Sequence, residues 1–396
     1  MKKTCISAVF VLYLCAGLST AQVVFHGQAK NSLYSYESES EQSHTRLYQY
    51  ASFNLAMADG RIQLSSSLRA LSDLNETLDS DNRFRAYALH LRLRRLLGRI
   101  DLTAGRQFLH PGTVLGALDG VHGRIAVFKS MALQLYAGTE SHFSRRFKIY
   151  ETSDSFVTGA TLELRRLLAS SIQLLWLQKR NENETFWHLA GLNLDNDLLP
   201  ETRLRVQAHY NLESEQIHRL LVSTRHSLSD RLAFNLEYKQ QQPQVYANSY
   251  YTIFSPDAYR QVRAGGYFNV LSDYNINAVY QRVLFDGGEA DRVLVSLANA
   301  NGGIGLLYES GFAGDQLGLM FDYAYNLGSK LTASINLDYS KYRTEEIYEY
   351  ENQLANAARL TYHLSRRWRI DVEYQWLTNR YVESDSRLLN HISYRW

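Results

Sequence analysis

Apolar and polar residues alternate over most of the chain, so that apolar side chains fall at every second position. Clear examples are the segments 61–70, 87–94, 203–210, 331–339 and 367–376. This spacing places successive side chains on opposite faces of an extended strand, one face apolar and the other polar. Most such segments exceed the about 5–6 residues of an ordinary globular strand and approach the about 9–11 residues that span a bilayer when tilted. The pattern therefore predicts β-strands of membrane-spanning length.

Short and long connections alternate between these strands. The segments 59–60, 97–98 and 129–130 are short and 195–201 is a somewhat longer turn, whereas 72–83, 179–184, 240–257 and 285–290 are predicted as polar loops. The chain accommodates an even number of strands, about 18 to 22, with both termini at the end of the short turns. This is the layout of an all-β, antiparallel transmembrane β-barrel with short periplasmic turns and longer extracellular loops.

Proline positions provide an independent check on the predicted barrel. Pro111, Pro200, Pro243 and Pro256 all fall in predicted connections. Proline has no N–H to donate to a ladder, so a closed sheet excludes it from its strands. A soluble propeller or solenoid is the alternative, but no repeat of about 40 residues supports it. Polar faces that carry Arg, His, Asp and Glu over whole strands favour a water-filled lumen with lipid outside.

The first 21 residues have the features of a secretory signal peptide. Lys2 and Lys3 precede a short apolar stretch, and small residues end the segment at Ala21. The barrel is expected over residues 22–396. The segment holds both cysteines and two of the 42 basic residues, so the remaining chain has no cysteine and 40 residues of each charge. A balanced charge gives no reason to expect nucleic acid as a partner.

Arginines on the polar faces are candidates for the lining of the lumen. They occur as i, i+2 pairs, which point the same way along a strand. The candidates are Arg92, Arg94, Arg203, Arg205, Arg367 and Arg369. Rings of arginine favour anions, and acids such as Asp101 and Glu373 are expected to oppose them. The alternative is that a water-filled wall simply tolerates these charges.

Three loops are candidates for narrowing the lumen: 139–155, 240–257 and 108–120. The loop 139–155 contains Arg145, Arg146 and Lys148 between aromatic residues. A barrel this wide needs inward loops or a plug to restrict it, and the alternating pattern begins too early in the chain to leave room for a plug. Deleting the loop 139–155 is expected to raise conductance.

The C-terminal strand ends with apolar residues at alternate positions: Ile392, Tyr394 and the terminal Trp396. This ending resembles the insertion signal of bacterial outer-membrane proteins, and the resemblance implies the barrel-assembly machinery as a partner. It also implies localisation in the outer membrane of a Gram-negative-type bacterium, surrounded by lipid and lipopolysaccharide.

Enzyme and cofactor signatures are not found in the sequence. There is no G-x-S-x-G elbow, no phosphate-binding glycine loop and no H-E-x-x-H motif. An acidic loop with Asp73, Glu76, Asp79 and Asp81 offers oxygen ligands, but its spacing matches no EF-hand, and a solvated loop is the preferred interpretation. No metal, cofactor or enzymatic activity is expected.

Over residues 22–396 the chain resembles bacterial outer-membrane porins. The stretch 102–107 (LTAGRQ), followed by 118–121 (LDGV), resembles a segment of porins related to the alginate-export family. The resemblance implies diffusion of small hydrophilic solutes through the lumen. The alternatives are a structural or export-conduit barrel, such as a sheath for another secreted component or a polymer, and a barrel enzyme acting on lipid. The substrate, ion selectivity and oligomeric state are not determined by the sequence.

Overall fold

The structure, a computed structural model, describes most of the chain after the predicted signal peptide. The described residues are 23–37, 43–76, 78, 83–109, 116–141, 146–167, 169–182, 184–242, 258–271, 273–312, 314–345, 347–381 and 383–396. Residues 1–21 and Arg145 lie outside them, as do Pro111, Pro243 and Pro256. Within these ranges, no helix has the length and apolar character needed to cross a membrane.

The described residues form 22 antiparallel strands. Their bounds in chain order are β1 Val24–Glu37, β2 Ser43–Met57, β3 Ile62–Asp73, β4 Phe84–Leu96, β5 Ile100–Leu109, β6 Gly116–Phe128, β7 Met131–Glu140, β8 Ser155–Leu167, β9 Ser170–Asn181, β10 Glu184–Leu199, β11 Thr202–Asn211, β12 Gln216–Ser227, β13 Leu232–Gln241, β14 Tyr259–Leu271, β15 Tyr274–Phe285, β16 Gly288–Asn299, β17 Gly302–Gly311, β18 Asp315–Asn326, β19 Leu331–Arg343, β20 Glu351–Tyr362, β21 Trp368–Thr378 and β22 Asp385–Arg395.

Each strand pairs with the strands before and after it, and the first pairs with the last. In the β1–β22 ladder the register runs from Gln28 opposite Arg395 to Ser35 opposite Leu388. The sheet is therefore closed, and none of the described strands has a free edge. The predicted antiparallel barrel with an even number of strands is confirmed, at the upper end of the predicted range.

Several connections are shorter than the sequence predicted. β10 continues to Leu199, so the turn predicted at 195–201 is reduced to 200–201, which holds Pro200. The loops predicted at 179–184 and 285–290 are short connections at 182–183 and 286–287. In each case polar residues continue the strand, because one face of a barrel strand is polar along its whole length.

The outward and inward faces are distinguished by exposure. On β21 the large apolar side chains of Trp368, Val372 and Tyr374 are exposed, whereas Asp371 and Glu373 between them are buried. Side chains spread apart on the convex outer face of a closed barrel and crowd together on the concave inner face. Directly paired residues share a face, so the ladder registers extend this assignment around the barrel. The apolar face points outward and the polar face inward.

One part of the inward face is apolar and densely packed. Its buried side chains come from consecutive strands, β5 to β10, and contact one another: Leu109, Leu118, Tyr136, Val157, Leu177, Trp187 and Leu189. Their contacts exclude water from this part of the wall. The sequence did not predict this cluster, because alternation distinguishes the two faces but not the packing across neighbouring strands.

Candidate functional site

The inward wall carries most of the predicted lumen arginines in ion pairs. Arg92 on β4 places its Nη2 3.3 Å from Asp101 Oδ2 on β5. The backbone N–H of Arg95 donates to the other oxygen of Asp101 at 2.9 Å. Arg94 follows Arg92 by two residues and is exposed at the turn end of β4.

Arg203 and Arg205 lie on the inward face of β11. Arg205 Nε is 2.8 Å from Asp195 Oδ1, and Arg203 Nε is 3.5 Å from Asp197 Oδ1. Both arginine side chains are about half exposed. Arg203 is also directly opposite Arg225 on β12, so two guanidinium groups share this part of the wall.

Arg369 lies on the inward face of β21, and Arg367 lies in the turn before that strand. Arg369 Nη2 is 2.7 Å from Asp371 Oδ1, and the hydroxyl of Thr361 donates to the same oxygen at 2.7 Å. The lumen arginines therefore pair with acids on the same or the adjacent strand. The charges compensate one another locally, and Asp101 is one of the acids that the sequence indicated would oppose the arginines.

Two inward arginines that sequence reasoning missed lack such compensation. Arg69 on β3 is directly opposite Arg85 on β4. Among the described residues neither has a carboxylate at ion-pair distance, and both Nε atoms are buried without a hydrogen-bond partner. The Arg69 guanidinium carbon is 5.4 Å from the centre of the Tyr48 ring and 5.8 Å from that of Tyr87. Like charges directly opposite each other repel, so this pair concentrates positive charge at the loop end of the lumen.

The predicted constriction loop does not enter the lumen where the structure describes it. Phe147 stacks on the outward-facing Phe84, with ring centres 5.2 Å apart. The backbone carbonyls of Arg146 and Lys148 accept hydrogen bonds from Arg106, which is paired with outward-facing Leu89 in the β4–β5 ladder. The constriction role predicted for Arg146 and Lys148 is therefore corrected: the segment 146–150 lies against the outside of the wall. Arg145 lies outside the described residues.

Arg106 is the anchor of this arrangement. Its Nε and Nη2 donate to the two oxygens of Asp119 on β6, each at 2.6 Å. Nη1 donates to the carbonyls of Ala86 and Arg146 at 3.0 and 2.5 Å, and Nη2 also donates to Lys148 O at 3.1 Å. All five guanidinium N–H groups therefore have acceptors, and the ion pair is almost completely buried.

The two short motifs that carry the alginate-export resemblance are neighbours at this point. The register of β5 and β6 places Arg106 opposite Asp119 and Gln107 opposite Leu118. The sequence contained both motifs but not their contact, which depends on the pairing of the two strands.

The predicted insertion residues lie at the closure of the barrel. Tyr394 and Ile392 are paired with outward-facing Trp368 and Ile370. The Trp396 ring stacks on Phe25, with centres 5.6 Å apart, and its backbone exchanges hydrogen bonds with Gly27 of β1. The Trp396 side chain thus covers the seam between the first and last strands.

One group at the loop end has the residue types of a metal site. The Nδ1 atom of His44 is 3.1 Å from Asp73 Oδ2 and 3.9 Å from Glu76 Oε2. Arg46 Nε also lies 3.4 Å from Asp73 Oδ2. Because a guanidinium already compensates the central carboxylate, the group is a hydrogen-bonded cluster that does not favour a cation. Asp79 and Asp81 of the predicted acidic loop lie outside the described residues.

No protein-family model matches the chain, and no curated protein matches it in sequence. Solved structures do match it over nearly its whole length. The translocation pore of the P pilus usher PapC is 10% identical, with 94% of this chain and 99% of that chain covered and a TM-score of 0.52. The likeness is one of fold. Pseudomonas aeruginosa OccK1 (OpdK) is 11% identical, with 95% and 98% covered and a TM-score of 0.48. A BenF-like porin from Pseudomonas fluorescens is 8% identical, with 95% and 98% covered and a TM-score of 0.49.

Proposed function

We propose that the protein is an outer-membrane channel that passes small hydrophilic solutes by diffusion. The observation that carries the proposal is a closed barrel of 22 described strands with an apolar outward face and a charged inward face. An apolar outer band suits lipid, and a polar interior suits water-filled passage. After the signal peptide is cleaved, residues 22–396 would insert into the outer membrane of a Gram-negative-type bacterium.

The partners proposed with this function follow from the same surfaces. Lipid and lipopolysaccharide would surround the outward face. The barrel-assembly machinery would recognise the C-terminal strand, which carries Tyr394 and Trp396 at its end. The local resemblance to alginate-export-like porins supports a porin but does not identify the solute.

The inward charges support a weak preference for anions. Arg92, Arg203, Arg205 and Arg369 are paired with acids, so each contributes a local dipole more than a net charge. The directly opposed pair Arg69 and Arg85 adds positive charge with no carboxylate at ion-pair distance among the described residues, and arginine groups in a pore favour anions.

Conductance of the refolded protein in a planar bilayer tests the proposal. We expect stable open steps. In a potassium chloride gradient, the sign of the reversal potential should indicate a preference for chloride over potassium. The double variant Arg69→Gln/Arg85→Gln should move the reversal potential toward cation preference. Arg260→Gln is the matched control, because Arg260 is exposed on the outward face at the same end of the barrel. A correctly folded but silent barrel would contradict the channel proposal.

A conduit for a larger secreted component is the second candidate. The similarity in fold to the PapC translocation pore and the large number of strands support it, since barrel diameter grows with strand number. Liposome swelling with sugars of increasing size distinguishes the two functions. A channel for small solutes should exclude long oligosaccharides, whereas a conduit should admit them.

A further inference from the structure

We propose that a cavity in the inward wall of β18–β22 binds a short aliphatic diamine. The cavity has a volume of about 470 Å³ and is lined by residues 320–322, 336–338, 355–357, 375–377, 385 and 387; we name it the lumen niche. Small-molecule sites have volumes of about 300–1,000 Å³. The inference names a solute class for the proposed channel and rests on its water-filled lumen. The niche is a different site from the Arg69–Arg85 pair, because β22, β1 and β2 lie between them.

The niche is formed by two adjacent rows of inward side chains that cross the five strands. The ladder registers place in the row nearer the loops Met320, Asp338, Ala355, Leu377 and Asp385. They place in the row below it Asp322, Asn336, Ala357, Gln375 and Arg387. An alanine of β20 therefore lies in the middle of each row, between larger side chains on β19 and β21. The wall is recessed at these two alanines, and the recess is open to the lumen.

The charges that line the niche do not cancel. At one end Arg387 Nε donates to Asp385 Oδ2 at 2.7 Å, so these two charges compensate each other. At the other end Asp322 on β18 and Asp338 on β19 are both exposed to the lumen. Among the described residues no Lys, Arg or His lies at ion-pair distance from either carboxylate. The lumen niche therefore has a net charge of two carboxylates, both at its β18–β19 end.

The spacing of these two carboxylates suits a diamine better than a metal ion. Asp338 is directly opposite Met320, two residues before Asp322, so the two acids are diagonal neighbours about 7–8 Å apart. An ammonium group at each carboxylate forms a charge-assisted hydrogen bond, and a short methylene chain bridges the distance between them. A calcium ion needs about six to eight oxygen ligands, and in the described part of the chain no third carboxylate or histidine lies within ligand distance of these two.

The uncharged part of the lining suits the hydrocarbon chain of a diamine. Met320 and Leu377 lie on either side of the recess in the row nearer the loops, and methionine adapts to hydrocarbon groups of different shape. In the row below, the amides of Asn336 and Gln375 flank Ala357 and offer carbonyl oxygens to N–H donors. A neutral polyol would also find hydrogen-bond partners here, but it would leave the two carboxylates uncompensated. The lining therefore favours a cation.

Equilibrium dialysis of the refolded protein in detergent against 1,4-diaminobutane, at low salt to limit screening, tests the proposal. We expect saturable one-to-one binding that weakens by about fivefold in Asp322→Asn and in Asp338→Asn, the effect of one exposed ion pair. Ala357→Leu should weaken it as well, because the larger side chain fills the recess. The matched controls are Glu237→Gln, an inward acid on β13, and Ala88→Leu, an inward alanine on β4. Both controls should bind as the unchanged protein does, and heat-dependent migration in gels verifies that every variant is folded.

The comparison of ligands tests the two charges separately. 1-Aminobutane should bind more weakly than the diamine, and 1,4-butanediol, which has the same carbon chain without charge, should not bind. Equal binding of the diamine by the niche variants and the controls would overturn the proposal. Equal binding of butanediol would also overturn it, because the niche would then be a site for neutral polyols.

Dialysis measures binding and not passage, so it separates this inference from the channel proposal. A barrel that binds the diamine but is silent in a planar bilayer would contradict the channel and support the niche. An open channel that binds no diamine would contradict the niche alone.

Discussion

Replacing Arg106 by methionine tests the role of the buried pair on the outward face. The side chains of Arg106 and Asp119 are 6% and 4% exposed, and the guanidinium also holds three backbone carbonyls. Methionine keeps an unbranched side chain in the space but offers no donor. The Asp119 carboxylate is then left buried without its counter-charge.

The expected loss follows from that geometry. Breaking a buried ion pair by removing one partner lowers the free energy of unfolding by about 3–5 kcal/mol. The double variant Arg106→Met/Asp119→Leu should recover most of the loss, because replacing both charges of a buried pair by apolar groups is often neutral or stabilising. The carbonyls of Arg146 and Lys148 then turn to solvent as the segment detaches.

Urea unfolding in lipid vesicles, followed by tryptophan fluorescence, measures these changes. Arg92→Met is the matched control, since its pair with Asp101 is 41% and 24% exposed and is expected to contribute about 0–1 kcal/mol. A loss below about 1 kcal/mol for Arg106→Met would refute the reasoning, because it would mean that the pair is solvated. If the double variant does not recover stability, most of the loss comes from the missing hydrogen bonds to the three backbone carbonyls and not from the unpaired Asp119 carboxylate.

Three further outcomes can be checked on the same preparation. Gly27→Val should reduce the compact, heat-modifiable form in gels, because a Cβ at Gly27 would lie 2.3 Å from Trp396 Cζ2. The control Gly328→Val should leave this form unchanged, because no atom lies within 4 Å of a Cβ at Gly328. Leu177→Ala, in the buried inward cluster, should lower the free energy of unfolding in urea titration by about 2–5 kcal/mol. Replacing residues 146–149 with a Gly-Ser linker should leave single-channel conductance unchanged, and a clear increase would return this segment to the lumen.

The sequence predicted the architecture because every strand of the barrel has the same alternation of apolar and polar residues. Each strand must be apolar outside and polar inside, so alternation, strand length and the order of turns and loops are all local properties. The even number of strands and both termini at the turn end followed from them. The connections at 182–183 and 286–287 were predicted too long because polar residues were assigned to loops when they continued the strands.

The candidate site was predicted only in outline. Alternation placed Arg92, Arg203, Arg205 and Arg369 on the polar face, where the structure has them. The sequence also indicated that acids would oppose these arginines, and the structure shows that a carboxylate on the same or adjacent strand compensates each of the four. Which charges meet depends on the ladder register, and register is a relation between strands that are distant in sequence.

By itself the sequence determined that the chain is a closed sheet with two chemically different faces. Only the tertiary structure decided how individual polar groups are used. Alternation places Arg106 on the apolar outward face, where a lone charge would be strongly disfavoured, and pairing with β6 supplies Asp119. The segment 146–150 then folds against the outside of the wall because Arg106 still has N–H groups to satisfy, and a buried donor without an acceptor is costly.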